Sequence, residues 1–492
     1  MNRHPVLTVV LLAAATLLST YGIAAETSPY ASWSNGPSSD PGYFPIGVWL
    51  QSPSNAEKYK AAGINLYIGL WQGPTEEQLT TLREAGMRTV CNQNAVGLKY
   101  IDDPIIAAWM HDDEPDNAQP DGDGGYGPPI EPSVIQNDYY AMKEKDPSRP
   151  VYLNLGQGVA YDNYIGRGVR RNHPEDYPEY IKGTDIVSFD IYPVNSTYDE
   201  VSGNLWYVPY GVDRLVNWSS ENQAVWNFIE TTNIHNTTGP TPAQIRSEIW
   251  MSIIHGSRGI LYFVHVFEPA FNEDGLLDDP EMLETVTTVN NRIHELAPVI
   301  NSPNVTEGIT AVSNDTNIPV AVMVKRYGGS TYLFAAAMRD GATDGTFTFN
   351  WLSGNNTAEV IGEDRTVTVL DGSFTDGFDP YDVHLYRIDE TSTSTGEEYP
   401  DAFRLLGCRP NPFNPSTVIT WTMPRESRTT VTVYDITGRS IAELYNRYAD
   451  IGMNSVIWDG CDSSGRPAAS GIHVYSITAG SSTAFGKMTL LR

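Results

Sequence analysis

The sequence predicts a barrel of eight alternating strands and helices, followed by two small all-β domains. Three observations lead there. Between about residues 43 and 300, eight short β-rich runs alternate with stretches of helical periodicity. About 260 residues is the size of a (β/α)8 barrel, typically about 250. After Asn301 the helical pattern stops and only β-runs separated by Gly, Asn and Asp turns remain.

The eight runs are Tyr43 to Leu50, Ile64 to Trp71, Met87 to Asn94, Ile105 to Glu114, Pro150 to Gly156, Asp185 to Pro193, Ala224 to Thr232 and Gly259 to Phe267. Helix starts are marked by capping-box pairs, Ser54 with Glu57 and Thr75 with Gln78. Thr241, Pro242 and Gln244 add proline at a first helical position. Met282, Val286, Val289, Ile293 and Leu296 form one apolar stripe on the last helix. The third connection, Ala95 to Pro104, is too short for a full helix. A doubly wound open sheet is the alternative, but its Gly-rich first turn is missing. The expected division is 1–25 signal peptide, 26–302 barrel, 303–389 accessory β-sandwich, 390–400 linker rich in Ser and Thr, and 401–492 terminal β-sandwich.

Composition narrows the function. The chain has 492 residues and a formal net charge of −29. A phosphate-backbone binder needs clusters of Lys and Arg, so nucleic acid is excluded as a partner. Arg3 and His4, the apolar run Val6 to Leu18 and the small residues Gly22, Ala24 and Ala25 read as a secretory signal peptide. No later segment is apolar and long enough to span a bilayer. The expectation is an exported, soluble mature chain. Cys91, Cys408 and Cys461 show no zinc spacing; Cys408 and Cys461 could pair in an oxidising compartment.

In such a barrel, chemistry sits at the C-terminal ends of the strands. Those ends carry Trp49, Trp71, Asn94, His111, Asp113, Glu114, Asn154, Asp190, Tyr192, Glu230 and His265. Amides, carboxylates and aromatics dominate there, and Lys and Arg are nearly absent. That mixture suits a hydroxyl-rich ligand, because aromatic faces pack on sugar C–H faces while amides and carboxylates bond hydroxyls. Glu114 and Glu230 close strands four and seven, on opposite sides of the expected mouth. Two carboxyl groups across such a gap can hydrolyse a glycosidic bond. A single Glu at a strand end is more often a solvated loop residue or a helix cap than a catalyst. A metal reading of the acidic run would need His111 and His265 to share a cation, and Asp121 to Gly125 resembles part of a calcium loop without its distal Glu. No cofactor is expected.

Two family resemblances follow from these residues. Ile106-Ala107-Ala108-Trp109-Met110-His111-Asp112-Asp113-Glu114-Pro115 resembles the strand-four acid/base motif of clan A glycoside hydrolases. Val225-Trp226-Asn227-Phe228-Ile229-Glu230 resembles the clan's strand-seven nucleophile. Arg246, Trp250, His255 to Gly259 and Tyr262-Phe263 are similar as well. The resemblance implies a retaining hydrolase of a poly- or oligosaccharide, with Glu114 as acid/base and Glu230 as nucleophile. The remaining nine strand-end residues, Trp49, Trp71, Asn94, His111, Asp113, Asn154, Asp190, Tyr192 and His265, would bind substrate. The clan usually has Asn before the acid/base; Asp113 stands there and cannot donate when ionised. The rival reading is a catalytically silent carbohydrate-binding or adhesion protein.

Further on, Arg409-Pro410-Asn411-Pro412-Phe413-Asn414-Pro415, Val433 to Arg439, Trp458-Asp459-Gly460, Ser470 to Tyr475 and Lys487 to Arg492 resemble the type IX secretion C-terminal sorting domain, related to the FlgD-like immunoglobulin fold. That resemblance implies the type IX machinery as a partner, and release or attachment at the surface of a Gram-negative bacterium.

Overall fold

A computed structural model describes residues 28–234, 239–390, 403–423, 427–450, 452–480 and 482–491. The expected signal peptide lies outside the described residues, as does all of the expected linker except Glu390. The chain divides into two compact units between Thr391 and Ser392.

The first unit begins with a parallel barrel. Its strands are β1 (Ile46–Trp49), β2 (Leu66–Ile68), β3 (Arg88–Asn92), β4 (Ile106–Met110), β5 (Val151–Leu155), β6 (Ile186–Phe189), β7 (Ala224–Val225 and Asn227–Glu230) and β8 (Ile260–Phe263). Trp226 interrupts β7 and thereby closes the cylinder. The first half of β7 pairs with β6 through Val187 and Val225, and the second half pairs with β8 through Phe228 and Leu261. β1 joins β8 and β2 on either side. Seven helices follow the strands: α1 (Ala56–Ala61), α2 (Glu76–Glu84), α3 (Pro132–Lys145), α4 (Tyr177–Ile181), α5 (Tyr207–Trp218), α6 (Pro242–Ile254) and α7 (Pro280–Ile300). Between β3 and β4 stands only a 3-10 turn, Gly97–Tyr100.

Local chemistry sets the helix starts. Thr75 and Gln78 cap α2 reciprocally, and Thr241 and Gln244 do the same for α6. The expected box at Ser54 and Glu57 does not form. Ser54 sits in the 3-10 turn Pro53–Asn55, its hydroxyl 2.9 Å from that of Ser52, and α1 begins after Asn55.

The barrel interior is solid. Ile68, Val90, Ala108, Tyr152, Trp226 and Leu261 fill it, and at Gly47 a Cβ would stand 2.7 Å from Leu261 and 2.8 Å from Ile68. The bottom is plugged by Tyr30, whose hydroxyl donates to Arg258 O at 2.9 Å and accepts from the Trp226 indole at 2.8 Å. The opposite end opens into a cavity.

Eight further strands, β9 (Ile309–Ser313), β10 (Val320–Tyr327), β11 (Ser330–Ala337), β12 (Thr343–Phe349), β13 (Asn355–Val360), β14 (Arg365–Leu370), β15 (Ser373–Phe378) and β16 (Val383–Asp389), form an antiparallel sheet ordered β9-β12-β15-β14-β13-β16-β11-β10. Its inner face is rich in Phe347, Phe349, Phe374 and Tyr386. It packs on α6: Trp250 stacks on Phe334, Arg246 donates to Val383 O at 2.7 Å, and Ser247 donates to Tyr381 O at 2.6 Å.

The second unit is all β. Seven strands among the described residues, β17 (Arg404–Arg409), β18 (Thr417–Met423), β19 (Ser427–Tyr434), β20 (Ser440–Ala449), β21 (Gly452–Trp458), β22 (Gly471–Ala479) and β23 (Ser482–Leu490), make two sheets, β17-β18-β21 and β20-β19-β22-β23. Phe413, Trp458 and Tyr475, from the segments resembling a sorting domain, lie in its core. Cys91, Cys408 and Cys461 are all free thiols, so the pairing that the last two could have made is not formed.

Candidate active site

The open end of the barrel holds a cavity of about 900 Å³. Strand ends and the loops after them build it. Trp49 comes from β1, Trp71 from the turn after β2, and Asp113 and Glu114 from the end of β4. Asn154 stands on β5, Asp190 and Tyr192 follow β6, Phe228 stands on β7, and Phe263 and His265 close β8. Three residues at these strand ends, Leu50, Gln72 and Glu114, have φ of 48°, 53° and 45°. A positive φ is costly for a side chain with a Cβ, and such residues gather where a site fixes a side-chain direction. At Glu114 it turns the carboxyl out of the strand and into the mouth.

The carboxyls gather on one side. Glu114 faces Asp190, and Tyr192 approaches Asp190 from the other direction. Asn117 donates to Glu114 Oε2 at 2.9 Å. Asp113 accepts from Asn154 Nδ2 at 3.0 Å; Asn154 in turn accepts from Ser188 at 2.7 Å, and Ser188 meets the Tyr152 hydroxyl at 2.6 Å. This chain orients Asn154 with its amide group toward Asp113. Beneath them, Asp116 is buried and accepts from Gly156 N at 2.9 Å and Tyr177 Oη at 3.0 Å, while the buried Arg167 holds its backbone carbonyl at 3.0 Å. These bonds fix the turn that carries Glu114.

Crowding sets the protonation states. Burial, then the charges of Asp190 and Asp113, push the Glu114 carboxyl well above the usual carboxylate range. Burial raises Asp190 to about 6, opposed by its hydrogen bonds with Glu114 and Tyr192. Asp113 is open to the water of the cavity but walled by protein on most sides; that enclosure, then Asp190, raises it too. Burial lowers His265, which favours its neutral form.

The walls are aromatic. Trp49 meets Phe228 edge to face at 5.6 Å, Tyr192 meets Phe263 at 5.2 Å, and Phe267 and Phe271 extend the wall beside His265. Trp71 is 68% exposed at the rim.

Three expected site residues do not reach the cavity. Glu230 is fully buried. Its Oε1 accepts from Val194 N at 2.7 Å, and its Oε2 accepts from Asn195 N at 2.9 Å and Asn195 Nδ2 at 2.5 Å. The chain after β6 closes over it, so the carboxyl does not project into the mouth as the strand pattern implied. Burial pushes it up to about 7, against those three bonds. Asn94 is a turn residue: its Oδ1 caps Val96 N and Gly97 N, and its Nδ2 donates to Pro74 O. His111 is buried on the outer side of β4, with Nε2 at 2.9 Å from Gly183 O, so it cannot share a cation with His265. Among the described residues there is no cluster of three metal-ligating side chains. In the Asp121 to Gly125 loop, Asp121 Oδ1 is taken by Asp123 N and Gly125 N, both at 2.9 Å.

No sequence signal pointed to Glu273, Tyr164 and Phe271, which also line the cavity. Glu273, Tyr164 and Phe271 lie on loops between a strand and the next helix, where no periodicity marks the side that faces the mouth.

No protein-family model matches the chain, and no curated protein matches it. Among solved structures, it is similar to the α-amylase from Geobacillus thermoleovorans, at 12% identity and TM-score 0.47 over 73% of this chain and 100% of that one. It is similar to Gan42B, a GH42 β-galactosidase from G. stearothermophilus, at 9% identity and TM-score 0.46 over 70% and 98%. A third is α-galactosidase I from Mortierella vinacea, at 10% identity and TM-score 0.44 over 72% and 99%. These neighbours are glycoside hydrolases. Similarity this low leaves the substrate and the working residues to the chain's own geometry.

Proposed function

We propose that this chain is a secreted glycoside hydrolase that cleaves a poly- or oligosaccharide in the barrel mouth. The observation that carries the reading is the Glu114 carboxyl. It is pushed well above the usual range beside Asp190 and Asp113, and it opens onto a cavity with aromatic walls. Protonating a glycosidic oxygen requires an acid that keeps its proton at working pH, and Glu114 is placed and tuned for that. The second carboxyl is Asp190, whose lower value lets it ionise first and stabilise the positive charge that develops at the sugar carbon. Double displacement through Glu230 would need that carboxylate in the cleft, and its three hydrogen bonds hold it behind the Pro193 to Asn195 segment. Asp190 therefore takes the nucleophile's part. Retention of configuration is the course that the resemblance of the 106–115 segment to the clan A acid/base motif implies.

Passage through the type IX machinery, with release or attachment at a Gram-negative cell surface, rests on the likeness of the terminal segments to a sorting domain. Among the described residues no helix is long and apolar enough to cross a membrane.

The sealing of Glu230 favours a second reading, a displayed carbohydrate-binding protein without activity, because the mouth then carries its central carboxyls only on the β4 and β6 side. Reducing ends released from a panel of plant, algal and bacterial glycans by the purified chain, beside Glu114→Gln, separate the two. Release by the parent and loss in the variant support the hydrolase. Binding without release supports the binder.

A further inference from the structure

The cavity has more carboxyl groups than hydrolysis needs. Asp113, Glu114, Asp190 and Glu273 all line it, and among the described residues no lysine or arginine does. Asp113, Glu114 and Asp190 gather at the ends of β4 and β6, while Glu273 stands apart on the loop after β8, beside Gln51.

Three of the amides lining it are already engaged. Asn154 spends its amide on Asp113 at 3.0 Å. Gln51 donates to Glu273 O at 2.8 Å and faces His265 Nε2 at 2.9 Å. Gln78 donates to Trp71 O at 2.9 Å. On the acceptor side, Asp190 Oδ1 is buried with no hydrogen-bond partner. A buried acceptor without a donor costs free energy, and a ligand that brings the donor relieves it. An ammonium group brings three donors and the opposite charge. An acetamido group in its place adds a carbonyl acceptor, and a uronate adds a further negative charge to a cavity with no cation to meet it.

We infer that the mouth takes a glycan with free amino groups, an oligomer of hexosamine units, whose ammonium groups meet Asp190 at the base and Glu273 at the rim. This rests on the reading of the mouth as a saccharide site. The aromatic walls take the C–H faces of the rings, and Glu114 remains the proton donor. The raised values of Asp190 and Asp113 fit this assignment. In the empty cavity these acids retain protons against one another's charge, and a bound cation releases them.

The test uses the full chain with four probes: a β-linked glucosamine hexamer, its N-acetylated counterpart, a cellulose hexamer and a galacturonate hexamer. Calorimetry reads binding and reducing ends read cleavage. The glucosamine hexamer is expected to bind most tightly and to be cleaved fastest, with N-acetylation lowering kcat/KM about tenfold or more. Glu273→Gln, a change at the rim away from Glu114, is expected to raise KM several-fold for the glucosamine hexamer and to leave the ratio of acetylated to cellulose hexamer unchanged. Preference for the cellulose, acetylated or galacturonate hexamer overturns the inference and leaves the hydrolase standing. Selective binding of the glucosamine hexamer without cleavage supports the inference and overturns the hydrolase. Binding of none overturns the inference, and the glycan panel then decides the hydrolase separately.

Discussion

Glu248 on α6 is fully buried, and neither of its side-chain oxygens has a hydrogen-bond partner. Burial, then the neighbouring Glu230, pushes its carboxyl well above the usual range. The folded chain therefore holds a proton there that the unfolded chain releases at ordinary carboxylate values. A raised folded-state pKa gives stability that is complete below the unfolded value and is lost as pH rises toward the folded one. Across that window, each pH unit costs about 1.4 kcal/mol of folding free energy. Glu248→Gln copies the shape of the protonated acid without titrating, and it removes no hydrogen bond made by the side chain. The variant should match the parent near pH 5 and gain on it by about 1.4 kcal/mol for each pH unit above that while Glu248 keeps its proton in the folded chain. Urea unfolding followed by tryptophan fluorescence, run on parent and variant at several pH values, reads the difference directly. A difference that does not change with pH, or a variant less stable than the parent throughout, refutes the reasoning.

Further predictions concern the mouth and its supports. Asp113→Asn removes a negative charge beside Glu114, so Glu114 loses its proton at lower pH, and the alkaline limb of the kcat/KM profile moves toward acid; an unmoved limb contradicts the coupling. Asn195→Ala removes the side chain that ties Glu230, Thr232 O and Ile234 N together; about 2–4 kcal/mol of stability should go with it, measured by denaturant unfolding. Trp71→Ala, at the exposed rim, should leave thermal stability unchanged and raise KM for long oligosaccharides more than for short ones. Proton NMR of the first product should show the anomeric configuration of the substrate retained.

The barrel was legible because its signals are local. All eight apolar runs contain the strands, each trimmed at its ends, and the Thr75 and Thr241 caps start the helices they mark. The α7 stripe from Met282 to Leu296 is buried as its spacing requires. The site was legible only as far as strand ends reach. Asp113, Glu114, Asn154, Asp190, Tyr192, Trp49, Trp71 and His265 line the cavity, since the end of a barrel strand fixes where its residues stand. Glu230 ends its strand in the same way, but its exposure is decided by the path of the chain after β6, and the amides of Val194 and Asn195 are invisible to a strand pattern. His111 and Asn94 show the same limit: one faces the outer side of the wall and the other closes a turn. Glu273 lies on a loop with no period to read, so its place at the rim follows only from the folded chain.

The central claim is that Glu114 delivers the proton to the leaving group, and Glu114→Gln tests it on two glycosides of one sugar. A dinitrophenol leaving group departs without protonation, whereas a sugar leaving group needs it. The account predicts that the variant loses about 10²–10⁴-fold in kcat/KM on the sugar leaving group and far less on dinitrophenol. Equal loss on both, or full activity on both, contradicts it.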